Sequence, residues 1–162
     1  MVHEMKTIIC IGRLVYAKGV QDLLLATYQT GIRVLIVGDG SYRKELEKLT
    51  HEGVEFLGTM NKCQIRTLLR HSDLLVMPSY NEGLPTVILE ALAMNVPVLS
   101  SNVGCVMDIP NITVYEAGNI TGLRLGILKC LSEKRKNVRK EIIKNFSWKA
   151  NADKFYNMLI SR

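Results

Sequence analysis

A chain of 162 residues, 48% hydrophobic and 22% charged, has the length of one domain and the composition of an ordinary water-soluble core. Its four cysteines, at 10, 63, 105 and 130, form no CxxC pair and have no histidine at ligand spacing. That argues against a zinc site and a disulfide framework and fits a reducing cytoplasm. The net charge of +6 is uneven, since Lys129 to Arg162 holds ten Lys/Arg against three acids and leaves the remainder nearly neutral.

Met1-Val-His-Glu-Met-Lys leads straight into Thr7-Ile-Ile-Cys-Ile, with neither a basic leader followed by an apolar stretch nor any apolar run long enough to span a bilayer. The expectation is a cytoplasmic chain, neither secreted by that route nor integral to a membrane. Thr7 to Ile11 reads as a strand closed by Gly12, and Gly19 to Thr30 as a helix with Val20, Leu23, Leu24 and Ala26 on one side. Arg33 to Val37 is a second strand, ended by Gly38-Asp-Gly40, and Tyr42 to His51 is a charged helix with Leu46 and Leu49 inward. Val54 to Leu57, closed by Gly58, Leu74 to Met77, Val98 to Ser101 and Thr113 to Tyr115 are further strands. Helices are expected over Lys62 to His71, about Leu84 to Met94, Gly122 to Glu133, Asn137 to Lys144 and Trp148 to Ile160, with Trp148 as a packing anchor.

Strands without polar alternation are buried on both faces, and their alternation with helices predicts right-handed βαβ units. The fold class is therefore α/β, a Rossmann-like three-layer αβα domain with a parallel sheet. A single domain over residues 1–162 is expected, with C-terminal helices over about 122–160. The basic tail carries Lys136, Lys140 and Lys144 at i, i+4 opposite Ile142, Ile143 and Phe146, the pattern of a solvated helix face. No aromatic residues interleave with these cations, so no nucleic-acid partner is expected. Peripheral contact with an anionic inner membrane surface is the other use of such a face.

One stretch stands apart. Ser79 to Pro97 sets Glu82 just outside a helix and Glu90 inside it, in a run that is otherwise apolar from Val87 to Met94. A lone carboxylate in such a run is costly without a hydrogen-bond partner. Pro85, with fixed φ and no N–H, suits the first helical turn, while Asn95 and Pro97 end the helix. In a parallel sheet, ligands sit beyond the carboxyl ends of the strands. Those ends hold Gly12-Arg13, Gly38 to Gly40, Gly58, Ser79 to Glu82 and Ser101 to Gly104. Glycines there allow close backbone approach by a ligand, and a helix N-terminus receives an anion. Arg13 and Lys18 flank the first strand's exit, so two cations, a helix end and two acids converge. A diphosphate joined to two hydroxyl-rich groups would use all of them, with the cations on phosphate and the carboxylates accepting from hydroxyls.

Ile11-Gly-Arg-Leu with Lys18-Gly19, Val37-Gly-Asp-Gly40, Phe56-Leu-Gly58, Ser72-Asp-Leu-Leu-Val-Met-Pro-Ser79, the block from Glu82 to Ala93, and Asn145-Phe-Ser-Trp148 together resemble the group 1 (family 4) glycosyltransferases. The resemblance covers nearly the whole chain and implies the C-terminal half of a GT-B fold. It implies a nucleotide-sugar donor domain for a retaining, metal-independent transfer of a hexose-type sugar. The acceptor would be a glycan or lipid-linked molecule of polysaccharide or glycoconjugate biosynthesis. No cofactor is implied, the nucleoside diphosphate sugar being the donor substrate. By position, Arg13 and Lys18 match diphosphate ligands and Glu90 the ribose-hydroxyl acceptor. Gly83, Leu84, Pro85 and Thr86 match the segment that lends backbone N–H groups. Glu82 matches the catalytic-site acid facing the donor sugar, as a nucleophile or as a positioning group.

The departures are Asn95 where the family usually has Gly, and Gly104-Cys-Val-Met-Asp108 where it has Gly-Gly-x-x-Glu. The family's N-terminal acceptor-binding domain has no counterpart here, so the expected partner is that domain, in the same full-length protein or a separate chain. A stand-alone donor-binding subunit of a split enzyme is one alternative. A dinucleotide-binding oxidoreductase is another, suggested by Gly38-Asp-Gly40 after a strand, although Arg43 stands where the third glycine belongs.

Overall fold

The structure is a computed structural model that describes residues 5–83, 85–147 and 150. The chain runs through β1 (Thr7–Ile11), a 3-10 turn (Tyr16–Lys18), α1 (Val20–Thr27), β2 (Arg33–Val37), α2 (Arg43–Lys48), β3 (Val54–Gly58) and α3 (Lys62–His71). It continues through β4 (Leu74–Met77), α4 (Thr86–Ala93), β5 (Val98–Ser101), a second 3-10 turn (Gly104–Asp108), β6 (Thr113–Tyr115), α5 (Ile120–Ser132) and α6 (Arg139–Phe146). The helix expected over 148–160, with Trp148, lies outside the described residues.

The six strands pair in parallel in the order β3-β2-β1-β4-β5-β6. β4 and β5 are buried at every position, so both faces of the sheet need a cover. α1, α2 and α5 cover one face through Leu23, Leu24, Leu46 and Leu123, packed on Ile8, Val34 and Leu74. α3, α4 and α6 cover the other through Leu69, Ile88 and Ile142, packed on Ile9, Leu35 and Leu75. The result is the three-layer, Rossmann-like α/β architecture. Among the described residues no helix is long and apolar enough to cross a membrane.

α4 starts later than the sequence suggests. Pro85 is extended, with φ −77° and ψ 101°, and serves as the N-cap instead of the first helical residue. The proline also biases the residue before it away from helical angles, so a helix beginning at residue 84 is disfavoured.

Asn95 ends α4's connection in the left-handed region, with φ 57°. Its side chain then does something a glycine would not: Oδ1 accepts from the backbone N–H groups of Val138 and Arg139, both at 3.0 Å. It thereby caps the start of α6. Arg139 Nη1 donates to the Ala93 carbonyl at 2.7 Å, and Arg135 Nη2 donates to the Ser72 carbonyl at 2.6 Å. Two cations of the basic tail are thus fastened to the ends of α4 and α3, whereas Lys136, Lys140 and Lys144 are exposed. Ile143, expected inward, is 46% exposed, and Ile142 alone of that pair enters the core.

Asn95→Gly keeps the backbone angle but removes the cap, and should cost about 1 kcal/mol in urea denaturation. Asn95→Ala loses the cap and keeps a Cβ in the left-handed region without asparagine's tolerance of it, so it should cost roughly 1 kcal/mol more than Asn95→Gly. Equal stability of both variants and the parent would refute the cap.

Candidate functional site

β1 and β4 are neighbours in the sheet, yet β1 leads into α1 on one face and β4 into α4 on the other. At such a reversal the two connections part and a crevice opens beyond the carboxyl ends of the strands. The exits are held close. Gly19 sits at φ 66°, where any Cβ would overlap the Pro78 carbonyl, so the turn after β1 presses directly on the end of β4. Gly104, at φ 57°, makes the same kind of approach to the Glu82 carbonyl.

These contacts correct one expectation. Gly19, Gly38, Gly40 and Gly104 are used for chain-on-chain packing, since a Cβ at Gly38 would overlap the Gly12 carbonyl and one at Gly40 the Leu14 carbonyl. Strand-end positions with room for a ligand are Gly83, where an added methyl would meet nothing within 4 Å, Gly12, where it would meet Lys18 Cδ at 4.0 Å, and Gly58, where it would meet Arg43 Nη1 at 3.8 Å.

Lys18 and Glu82, from the two exits, meet directly. Lys18 Nζ donates to Glu82 Oε1 at 2.6 Å, and Ser79 Oγ donates to the same oxygen at 2.6 Å. The Glu82 side chain is only 9% exposed and that of Lys18 22%, so the carboxylate needs these donors. Ser79 is itself buried, and its carbonyl accepts from the Ser101 hydroxyl at the end of β5. Tyr80 ties the same turn to the other side: its amide donates to the Ala17 carbonyl at 2.8 Å and its hydroxyl to Asp22 Oδ2 at 2.7 Å. Its ring rests against Tyr16, with centroids 5.6 Å apart.

Glu90 differs from expectation. α4 buries Ile88, Ala91 and Leu92, and Glu90 lies on the outward stripe with Thr86, exposed and without a partner among the described residues. The apolar run is only partly buried, because Val87 and Leu89 are half-exposed. Arg13 is likewise exposed and without a partner among the described residues. It borders a small depression shared with Gly12, Lys18 and Ser79. It also borders a neighbouring one of about 220 Å³ that reaches Gly38, Asp39 and Thr59. Leu84 lies outside the described residues. The structure therefore joins Lys18 to Glu82, sets Arg13 beside Lys18, and leaves Gly83, Thr86 and Glu90 outward along the start of α4. Asp39 is engaged elsewhere, bonded to the Gly40 N–H at 2.7 Å and to Arg43 at 3.1 Å.

Ser79, Tyr80 and Ser101 lie in strand-end stretches that the sequence marks, although their contacts cannot be read from it, and Asp22 is the site residue that the sequence reading passes over. For Asp22 a signal exists. It is a lone acid in the apolar run of α1 and is 6% exposed, so the argument applied to Glu90 holds for Asp22 instead.

Residues 2–153 match the family described as glycosyl transferases group 1. An uncharacterized glycosyltransferase of Methanocaldococcus jannaschii is 31% identical over 163 aligned positions, covering 88% of this chain and 42% of the relative. The lipopolysaccharide outer core galactosyltransferase WaaB, in its apo form, superposes with a TM-score of 0.86 at 22% identity, over 99% of this chain and 50% of its own. Anabaena HepE in complex with UDP-glucose superposes with a TM-score of 0.84 at 22% identity, over 98% of this chain and 50% of its own. The chain spans half or less of the length of these proteins.

Cys10 lies beneath the Lys18–Glu82 pair. Burial pushes its thiol up to about 12, with Lys18 opposing and Glu82 reinforcing the rise, so it stays protonated and unreactive at neutral pH. Cys130 is also buried, whereas Cys63 and Cys105 are exposed. Ellman's reagent at about pH 8 should titrate two thiols in the folded chain and all four only in denaturant. A third fast thiol would contradict the packing under the site.

Proposed function

Since this chain belongs to the group 1 glycosyltransferases, we propose that it is the nucleotide-sugar donor-binding domain of a retaining, metal-independent enzyme. That enzyme would transfer a hexose-type sugar to a glycan or lipid-linked acceptor in polysaccharide or glycoconjugate biosynthesis. One observation carries the reading: Lys18 and Glu82 meet where β1 and β4 diverge, while Arg13 beside Lys18 and Glu90 one turn into α4 are outward and without a partner among the described residues. A nucleoside diphosphate sugar offers a complement to each group.

In this reading Arg13 and Lys18 take the diphosphate, together with the backbone N–H groups of Gly83 and Thr86 on either side of Pro85, which has none. Glu90, one turn along the same stripe as Thr86, accepts from the ribose hydroxyls, and Glu82 faces the sugar. As the bond from sugar to phosphate breaks, negative charge grows on the distal phosphate. Fixed cations and helix N–H donors stabilise that charge without reorganising. Lys18 is already held by Glu82, so one ammonium links the sugar-facing acid to the leaving phosphate. A front-face departure needs no protein nucleophile, and Glu82 then positions the sugar. HepE, a neighbour in fold, is solved with UDP-glucose, which agrees with a donor of this class.

The WaaB and HepE structures are about twice the matched length, which supports an acceptor-binding half elsewhere, in the same full-length protein or in a separate chain. The chain alone would then bind donor without turnover. The exposed lysines of α6 and the segment before it suit peripheral contact with an anionic inner membrane surface. A dinucleotide-dependent oxidoreductase is not favoured, because Gly38 and Gly40 pack on the β1 exit and Asp39 is tied to Arg43.

A thermal-shift panel of UDP-, GDP- and ADP-sugars should show stabilisation by at least one of them, and none at all would refute the reading. For that donor, Glu90→Gln should lose on the order of 1.5–3 kcal/mol in calorimetry. Undiminished affinity would remove the ribose role. Lys18→Ala should weaken the nucleoside diphosphate more than the nucleoside, and equal loss for both would sink the phosphate assignment.

A further inference from the structure

Lys18 and Glu82 stand on different segments, and something must set the distance between those segments before a ligand arrives. The pair itself is one tie. The other joins the residues around it: Tyr80, two positions before Glu82, reaches Asp22, four positions after Lys18. Gln21 Nε2 reinforces the contact by donating to the Tyr80 hydroxyl at 3.3 Å and to the Tyr16 carbonyl at 3.2 Å.

The chemistry of this contact is costly for a purely structural one. Asp22 is 6% exposed and sits among Leu23, Leu24 and Ala26. A leucine at 22 facing a phenylalanine at 80 would fill the space without a buried carboxylate, and such apolar replacements are commonly neutral or stabilising. What an apolar contact lacks is direction. The Tyr80–Asp22 bond, at 2.7 Å, fixes both the distance and the angle between the two turns. Burial and the Asp22 carboxylate push the Tyr80 phenol up to about 12, so it remains a donor throughout the physiological range.

We propose that Tyr80 and Asp22 are a positioning pair for the donor site, holding the Ser79–Glu82 turn against the Lys18 turn so that the phosphate and sugar ends of one nucleotide sugar are met at a fixed spacing. The inference rests on the donor-binding reading. Neither side chain touches the donor; they act through Lys18 and Glu82.

The test is calorimetric titration of the parent chain, Tyr80→Phe, Asp22→Asn, Asp22→Leu and the double variant Tyr80→Phe/Asp22→Leu with UDP-, GDP- and ADP-glucose, with Tm measured on each. Tyr80→Phe, Asp22→Leu and the double variant should lose about tenfold in affinity for the glucose donor that the parent binds, as misplaced binding groups do. Asp22→Asn, whose amide oxygen still accepts from Tyr80, should stay within about threefold. The double variant should melt near the parent while keeping its binding loss, which separates placement from stability. Parental affinity in Tyr80→Phe and the double variant, or losses that merely follow Tm, would overturn the proposal and leave the donor reading standing. A parent that binds no member of the panel would overturn the reading, and this inference with it.

Discussion

In an all-parallel sheet every strand ends on the same side, and where the winding reverses two adjacent strands hand the chain to opposite layers. The β1 and β4 exits are that place here, and the structure depends on keeping them together as they diverge. Backbone packing does part of this, through Gly19 on Pro78 and Gly104 on Glu82. Polar contacts do the rest, through Lys18–Glu82, Ser101–Ser79 and Tyr80–Asp22. The hydrophobic layers on either face supply the driving force for folding, but they are nearly indifferent to the placement of a turn at the sheet's rim. Directional bonds determine that placement.

The Lys18–Glu82 contact also orders the electrostatics of the crevice. A carboxylate with 9% side-chain exposure would be strongly disfavoured if unpaired, and two donors to one oxygen compensate for it. The Lys18 charge is therefore largely balanced, whereas Arg13 is exposed and has no partner among the described residues. On the donor-binding account an arriving diphosphate first meets Arg13 and the start of α4, then shares Lys18 with Glu82. Anion attraction and sugar placement are joined in one ion pair.

Much of this was legible in the sequence, and the boundary of legibility has a physical cause. The bounds of β1, β2, β4, β5 and β6 follow from short apolar runs set off by glycine, proline or polar residues; β4 is covered at every position, whereas β2 begins on exposed Arg33 and the edge strand β6 leaves Val114 exposed. Glu90 shows where the pattern misleads. Apolar residues around an acid do not prove that the acid is buried, since Val87 and Leu89 are only half-covered and α4 keeps an outward stripe. Asp22 shows the converse, an acid truly buried in α1 whose partner, Tyr80, is far along the chain. Contacts such as Asn95 with the start of α6, or Ser101 with Ser79, join residues whose spacing carries no period. Only the fold brings them together. The glycines are a third case, since sequence marks where the backbone needs room without saying whether a ligand or another strand's exit fills it.

The central claim is that the donor is met at the carboxyl ends of the strands, where β1 and β4 diverge. The chain also has a concavity of about 610 Å³ at the opposite end of the sheet, around Tyr28, His51 and Gly53, so the claim has a concrete rival location. Backbone amide shift mapping by NMR, with a nucleotide sugar titrated into the chain, decides between them. The account predicts perturbations concentrated at Gly12 to Gly19, Ser79 to Thr86 and Glu90. Perturbations centred on Tyr28, His51 and Gly53, with the Lys18 and Glu82 segments unmoved, would contradict it.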